Sequence, residues 1–305
     1  MIQLFCATRG ASNDFMSSLL SRVYPTRDLG NVEGVLGRLS SQDVNMVTDD
    51  LDRKGFHVFK SRLDDEVCDR LLRFASETRC VERATDRGSN VDRLVDCFPR
   101  SSPQAIRYDF HEQDLINNGD VQKLMADRSI LAVAQAYLRA LPITDVVAMW
   151  WSAAAMGGPD KQAAQFWHFD MDRIKWLKFF IYLTDVGSDS GPHSFVEGSH
   201  RCGGIPDNLL SKGYSRLTDA EVEAQYRRDR FIEFAAPRGT ILAEDTRGLH
   251  KGKHVFKGDR LMLQIQYSNS LFGGEYPPAS FNGPVVSSLQ EMMSSFPRVY
   301  SNYAR

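Results

Sequence analysis

After Pro142 the chain breaks into seven short runs: "DVVAMWWSAA", "QFWHFDMD", "KWLKFFIYLTDV", "GPHSFVEGSH", "RFIEFA", "GTILAED" and "DRLMLQIQYSNS". Each is rich in aromatic and β-branched residues, and Gly, Pro, Asp and Ser punctuate them. That pattern predicts strands joined by turns. A series of this length cannot stay a flat sheet with one bare apolar face. It must close on itself as a sandwich or jelly roll. The last run constrains the closure further, because "RLMLQIQY" alternates strictly. Side chains two apart share a strand face. Leu261, Leu263, Ile265 and Tyr267 form one face, which should pack on helices. Arg260, Met262, Gln264 and Gln266 form the other, which should look into the barrel unless the strand lies at an edge with a solvated polar stripe.

The helices come earlier. "VTDDLDRKGFHVF" reads as a helix ending at Gly55, then a strand through His57 and Phe59. In "DDEVCDRLLRFASE" Asp64 is the expected N-cap, and Val67, Leu71, Leu72 and Phe74 make an apolar stripe at helical spacing. "DVQKLMAD" and "SILAVAQAYLRALP" read as two more helices, the second capped by Ser129 and stopped before Pro142. Residues 78–112 are polar and irregular, as in a long loop. Residues 1–46 read as an N-terminal extension, with a short amphipathic helix in "SNDFMSSLLSRVY". Residues 47–305 read as one domain, with a partly helical insertion at 207–230 between strands. The expected fold is therefore α+β with a mainly β core, helices packed on one side.

Several functions are excluded by composition. A formal net charge of -2 gives no reason to expect a nucleic-acid or membrane partner. No apolar run approaches the ~20 residues that span a bilayer. The opening "MIQLFCATRGASNDF" has an apolar patch too short for a signal peptide, so a cytoplasmic location is expected. The five cysteines are scattered without a CxxC pair, against both a disulfide framework and a thiolate zinc site.

Chemistry enters at "QFWHFDMDR". If this stretch is extended, His168 and Asp170 point the same way, either into solvent or into a cavity that holds a metal. A metal needs a second imidazole from another strand. His193, His200, His250 and His254 are available; the final strand favours His250, and His254 is its nearest rival. Two histidines and one carboxylate on one side of an ion leave three positions open, the arrangement of non-haem Fe(II) oxygenases. Arg260 fits the same picture. A buried guanidinium needs an anionic partner, and no carboxylate shares its strand face in "RLMLQIQY", so the carboxylate of a bound ligand would serve.

These stretches carry a resemblance. "GFHVF" before an acidic-capped helix, "WHFDMD", "KFFIYLTDVGSDSGPHSFVEGSHR" and "GLHKGKHVFKGDR" leading into "LMLQIQYSNS" resemble the phytanoyl-CoA dioxygenase-like branch of the Fe(II)/2-oxoglutarate oxygenases, over roughly residues 50–272. The resemblance implies a double-stranded β-helix, a cupin-like jelly roll. It implies His168, Asp170 and His250 as iron ligands and Arg260 as the grip on the distal carboxylate of 2-oxoglutarate, a task suited to a planar guanidinium. It implies Fe(II), 2-oxoglutarate and O2 as cofactor and co-substrates, with succinate and CO2 released as a small molecule is hydroxylated. Desaturation, cyclisation or epimerisation at the same site is the alternative, and a non-catalytic metal-binding barrel is a further one. The carboxylate at Asp170 argues against halogenation, which needs a small residue there. Lys178 and Gln165 are further candidates for the co-substrate. Lys178 shares a strand face with Trp176, Phe180 and Tyr182.

For the substrate the chain offers charge. Arg173, Lys175, Lys178, Arg247, Lys251, Lys253 and His254 all lie near the candidate ligands in sequence. They point either to an anionic substrate or to solvated strand ends and loops. Trp167, Arg173 and Lys253 are the candidate substrate contacts. Trp150, Trp151 and Phe166 are candidate pocket walls, and "SNVDRLVDCFPR" is a candidate substrate loop.

Overall fold

The structure is a computed structural model that describes residues 2–84, 91–155, 164–213 and 215–303. Its centre is an eight-stranded antiparallel sheet in the order Phe56–Arg62, Thr240–Glu244, Trp176–Tyr182, Asp259–Ser268, Ile143–Ala153, Arg107–Asp109, Cys80–Glu82 and Arg93–Val95. A smaller sheet, Phe231–Glu233, His193–Val196 and His250–Gly252, faces it. A bridge between His168 and His250 carries the smaller sheet one segment further. Together the two sheets make a double-stranded β-helix.

The final strand lies in the middle of the large sheet, paired with Ile143–Ala153 on one side and Trp176–Tyr182 on the other. Its polar stripe is therefore not an edge feature. Leu261, Leu263, Ile265 and Tyr267 are buried in the same cluster as Leu51, Leu71, Ile130 and Val133 of the covering helices. Burying each such side chain contributes about 2 kcal/mol, enough to fix which face turns outward. Met262 of the opposite face packs between the sheets with Trp150, Phe180, Tyr182 and Phe195.

The helix Ser41–Lys54 ends where expected, at Gly55 with φ 93°, and the strand Phe56–Arg62 follows. Asp64 precedes the helix Asp65–Glu77, although its side chain makes no capping bond. Two expectations need correction. The helix Arg128–Leu138 is capped by Asp127, whose carboxylate accepts from the Ile130 amide at 3.0 Å. Ser129 sits inside the first turn, where its hydroxyl accepts from the Leu36 amide at 3.1 Å. Residues 78–112 are also not one loop. Three strands of three residues each extend the large sheet there, Cys80–Glu82, Arg93–Val95 and Arg107–Asp109. They are too short and too charged to show an alternation. Ser89 and Asn90 of the candidate substrate loop lie outside the described residues.

The first residues form the helices Ile2–Thr8 and Ala11–Val23, and the hairpin Val32–Gly34 with Gly37–Leu39 follows. The helices lie against the end of the barrel that carries His168: Phe5 stacks on Phe169 with centroids 5.6 Å apart, and Asn13 donates to the Ile174 carbonyl. Residues 207–230 hold the helices Asp207–Leu210 and Asp219–Glu223 and a 3-10 turn, between strands of the smaller sheet. No helix among the described residues is long and apolar enough to cross a membrane.

Candidate metal and co-substrate site

The backbone sets the first two imidazoles side by side. His168 and His250 exchange amide-to-carbonyl bonds of 3.0 and 2.8 Å, which puts their ring centroids 4.2 Å apart. Each Nδ1 faces a carbonyl two residues back, Phe166 at 2.9 Å and Gly248 at 3.0 Å. An N–H at Nδ1 satisfies those carbonyls and leaves the lone pair on Nε2, the tautomer a metal requires. Gly248 is needed there, since a Cβ would come within 2.4 Å of the Phe195 ring.

Asp170 completes the group. Its amide donates to the Thr246 carbonyl at 2.8 Å, and its oxygens lie 3.8 Å from His168 Nε2 and 3.5 Å from His250 Nε2. All three side chains are buried, and one donor atom from each lies within 4.8 Å of the others. Donors at right angles around an ion at ~2.1 Å stand about 3 Å apart, so a small inward movement closes the set. Lys178 Nζ donates to Asp170 Oδ2 at 2.6 Å. Burial alone would raise the Asp170 pKa; Lys178 and the two imidazoles outweigh it and hold the carboxyl well below the usual carboxylate range. Burial pushes both histidines below their ordinary value, His168 furthest. The donors are thus one anion and two neutral imidazoles, a set suited to iron.

A cavity of about 430 Å³ opens over this cluster, and Arg260 lines it together with Lys178, His193 and Gln264. Arg260 is 3% exposed. Its partners are the Gly191 carbonyl and the Ser152 hydroxyl at 3.1 Å, and its Nε has none. No described carboxylate pairs with it, and burial pulls its pKa down to about 10. The Gly-Pro pair finds its use here. Gly191 has φ 69°, and a Cβ on it would stand 2.6 Å from the Lys253 carbonyl; the turn it allows hands its own carbonyl to the guanidinium.

The other sequence candidates fall elsewhere. Arg173 is locked to Asp145 by two bonds of 2.8 and 2.7 Å and does not line the cavity. Lys253 pairs with Glu233 at 2.7 Å, and Arg247 pairs with Asp245 and Asp14. Lys251 pairs with Asp219 and lies over the Trp167 ring, which packs behind the metal cluster with Leu217 and Leu249. Gln165, a candidate for the co-substrate, meets His254 at 3.2 Å, and neither of them lines the cavity. Most of the charge noted near the ligands in sequence is therefore spent on carboxylates. Trp150 lines the cavity, while Trp151, one residue on, points into the helix-covered core.

Three arginines that sequence reasoning missed do reach the cavity: Arg83, Arg107 and Arg216, beside Asp92 and Asp109. Arg107 lies 4.6 Å above the Trp150 ring, and Arg83 bridges Asp92 and Asp109. The His193–Glu244 pair was also missed. The two meet at 2.9 Å, with His193 5.6 Å from His250 between ring centroids. Burial pushes Glu244 up to about 8 and His193 down to about 3, so at neutral pH the pair is carboxylic acid and neutral imidazole. Neither strand's pattern signals this, because the contact joins opposite sheets.

A jelly roll with two imidazoles, one carboxylate and an unneutralised arginine in a single cavity defines a facial-triad metal barrel. The chain belongs to the phytanoyl-CoA dioxygenase family, whose model matches residues 51–255. It is an enzyme of the 2-oxoglutarate-dependent non-haem iron class. No curated protein matches it by sequence. Among solved structures it is similar to HygX from Streptomyces hygroscopicus, crystallised with nickel and 2-oxoglutarate, at TM-score 0.54 and 15% identity over 83% of this chain and 94% of that one. It is similar to EvdO2 from Micromonospora carbonacea var. aurantiaca at TM-score 0.51 and 18% identity, over 77% and 93%. The epimerase SnoN, in complex with Fe3+, alpha ketoglutarate and nogalamycin RO, shares TM-score 0.51 and 15% identity over 74% and 84%. At these identities the likeness is one of fold.

Proposed function

We propose that the chain is an Fe(II)- and 2-oxoglutarate-dependent dioxygenase that hydroxylates a small, polar, acid-bearing molecule. His168, Asp170 and His250 would hold the ion. The observation that carries the reading is Arg260, a buried guanidinium in the same cavity as the triad with no carboxylate partner among the described residues. The co-substrate bound by HygX and SnoN is a keto-diacid, and its distal carboxylate is the partner Arg260 lacks. Iron and 2-oxoglutarate supply the oxidising chemistry when bound, with succinate and CO2 as by-products.

The chain supplies placement. Lys178 holds Asp170 by Oδ2, so one carboxylate oxygen stays free for the ion and the carboxylate does not swing. The Phe166 and Gly248 carbonyls hold the imidazole protons at Nδ1. Arg260 fixes the far end of the co-substrate. Trp150, Phe180 and Met262 give the deep wall its apolar area. The outer wall of Arg83, Arg107, Arg216, Asp92 and Asp109 favours a substrate with charged and hydroxyl groups over a long acyl chain.

Succinate release tests this. The full chain with Fe(II) and 2-oxoglutarate is offered phosphorylated sugars, sugar acids, amino acids and acyl thioesters. Stimulation by a polar acid, with an oxygen atom gained in the product, is expected. A product of unchanged composition or one that has lost two hydrogens would replace hydroxylation by epimerisation or desaturation. Stimulation by acyl thioesters alone would overturn the substrate class.

A further inference from the structure

A second polar cavity, of about 360 Å³, lies behind the loop that carries His250, under the helix Ala11–Val23. Four cations line it, Arg139, Lys175, Arg201 and Arg247, against the carboxylates Asp14 and Asp52 and the adjoining Asp245. Each carboxylate around it is already bonded: Asp52 to Arg139 at 2.7 Å, Asp14 to Arg247 at 2.9 Å, and Asp245 to both Arg247 and the Tyr137 hydroxyl. Lys175 is left over. It is 6% exposed, donates to the Tyr137 carbonyl at 3.2 Å and stands 4.0 Å above that ring, with no carboxylate partner among the described residues. Burial, with Arg247 nearby, pulls its pKa down to about 8 although Asp245 and Asp52 act in the opposite sense.

His200 lines the same cavity at 5% exposure, and neither ring nitrogen has a hydrogen-bond partner. The Asp52 backbone acts to raise its pKa, but burial outweighs this and pulls the imidazole down to about 4. A buried imidazole without a partner, and a buried ammonium with only a carbonyl and a ring beside it, are costly and rarely kept without a use. Ser17, Ser18 and Ser21 of the overlying helix add hydroxyls to the wall.

We infer that this cavity binds a small oxyanion of the phosphate class, held by Lys175 Nζ and His200. The site is distinct from the Arg260 cavity and does not depend on the dioxygenase reading. Its occupant would touch Arg247, whose neighbour Thr246 holds the Asp170 amide.

Isothermal titration of the full chain with inorganic phosphate tests the inference, with acetate as the arm for a carboxylate ligand. One saturable phosphate per chain is expected, weakened about tenfold or more in Lys175→Met, which keeps the volume and removes the charge (about 1.4 kcal/mol per decade). Arg260→Met should leave it unchanged. If Lys175→Met does not fold, His200→Gln serves as the second variant, with the same direction expected. Equal binding by the charge-deleted and native chains, no saturable binding, or loss in Arg260→Met would each overturn the site. Acetate binding as tightly as phosphate would overturn the ligand class.

Discussion

Replacing Arg260 by methionine separates a ligand-binding arginine from a structural one. Truncating one partner of a buried, hydrogen-bonded charge pair costs about 2–5 kcal/mol. A mid-range ~3 kcal/mol weakens 2-oxoglutarate about 150-fold. The apo protein should respond differently. There the guanidinium bonds a carbonyl and a hydroxyl, and among the described residues it meets no carboxylate and its Nε has no partner. Losing those bonds destabilises, while removing a buried, uncompensated charge stabilises. The two effects oppose each other, so apo stability should move by no more than about 1 kcal/mol, against the ~3–5 kcal/mol expected on breaking a buried ion pair. Anaerobic calorimetry with 2-oxoglutarate on the Mn(II)-loaded protein reads the first number, and urea unfolding of the metal-free protein reads the second. Mn(II) affinity itself should be nearly unaltered, because Arg260 touches none of the three donors. An apo protein weakened by several kcal/mol with its 2-oxoglutarate affinity intact would make Arg260 a strut between sheets, and the co-substrate argument would fail.

Other outcomes follow from the same geometry. His168→Ala should abolish the visible charge-transfer band of the anaerobic Fe(II)–2-oxoglutarate complex, whereas His254→Ala, which removes a partner of Gln165, should keep it. Arg173→Met leaves Asp145 buried and uncompensated, so unfolding free energy should drop by ~3–5 kcal/mol in urea titrations; a change in substrate KM without that drop would return Arg173 to the substrate site. The metal-free protein should lose stability on acidification. His193 and His200 titrate at about 3 and about 4 in the fold. Their unfolded value is ~6.5, so between about pH 6 and 5 the unfolded chain binds two more protons. Glu244, raised to about 8, works in the opposite sense and cancels one. These three groups leave a net loss of about 1.4 kcal/mol per pH unit, and Glu244→Gln should double it to ~2.7. A flat profile from pH 6 to 5 would contradict the burial of these rings.

The β half was legible because alternation survives burial. "RLMLQIQY" assigned each side chain to the helix face or the barrel interior; Leu261, Leu263, Ile265 and Tyr267 do lie in the helix-covered core, and Arg260, Met262 and Gln264 line the cavity. The ligand geometry was legible for the same reason, since residues two apart in an extended stretch must share a side. Three things were hidden. The strands between 80 and 109 are three residues long, below the length at which a period shows, so Arg107, and Arg83 just past the strand Cys80–Glu82, could not be placed on the sheet. Charge near the ligands in sequence told nothing of its use, because the partner of Arg173, Asp145, and the second partner of Arg247, Asp14, lie far away in the chain. The Asp127 cap was displaced by two residues because Ser and Asp are both good caps, and only the Val35 and Leu36 amides approaching from the hairpin decide between them.

Charge balance within the main cavity bears on the substrate. Asp170 and Lys178 cancel, and the imidazoles and Glu244 are neutral, so Arg260 leaves one positive charge in the deep cavity. Fe(II) adds two positive charges and 2-oxoglutarate two negative ones, so the loaded site still carries one positive charge. At the outer wall Arg83 and Arg107 are matched by Asp92 and Asp109, and Arg216 is a further cation there. A site closed from water is costly to leave charged, and one anionic group on the substrate neutralises it. Substrates that differ only in one acid group, free against methyl ester, should therefore separate by about tenfold or more in kcat/KM, the free acid faster, with the gap shrinking as salt rises. Equal rates for acid and ester would mean that the remaining charge is met by solvent, and the anionic half of the substrate assignment would fall while the iron site stood.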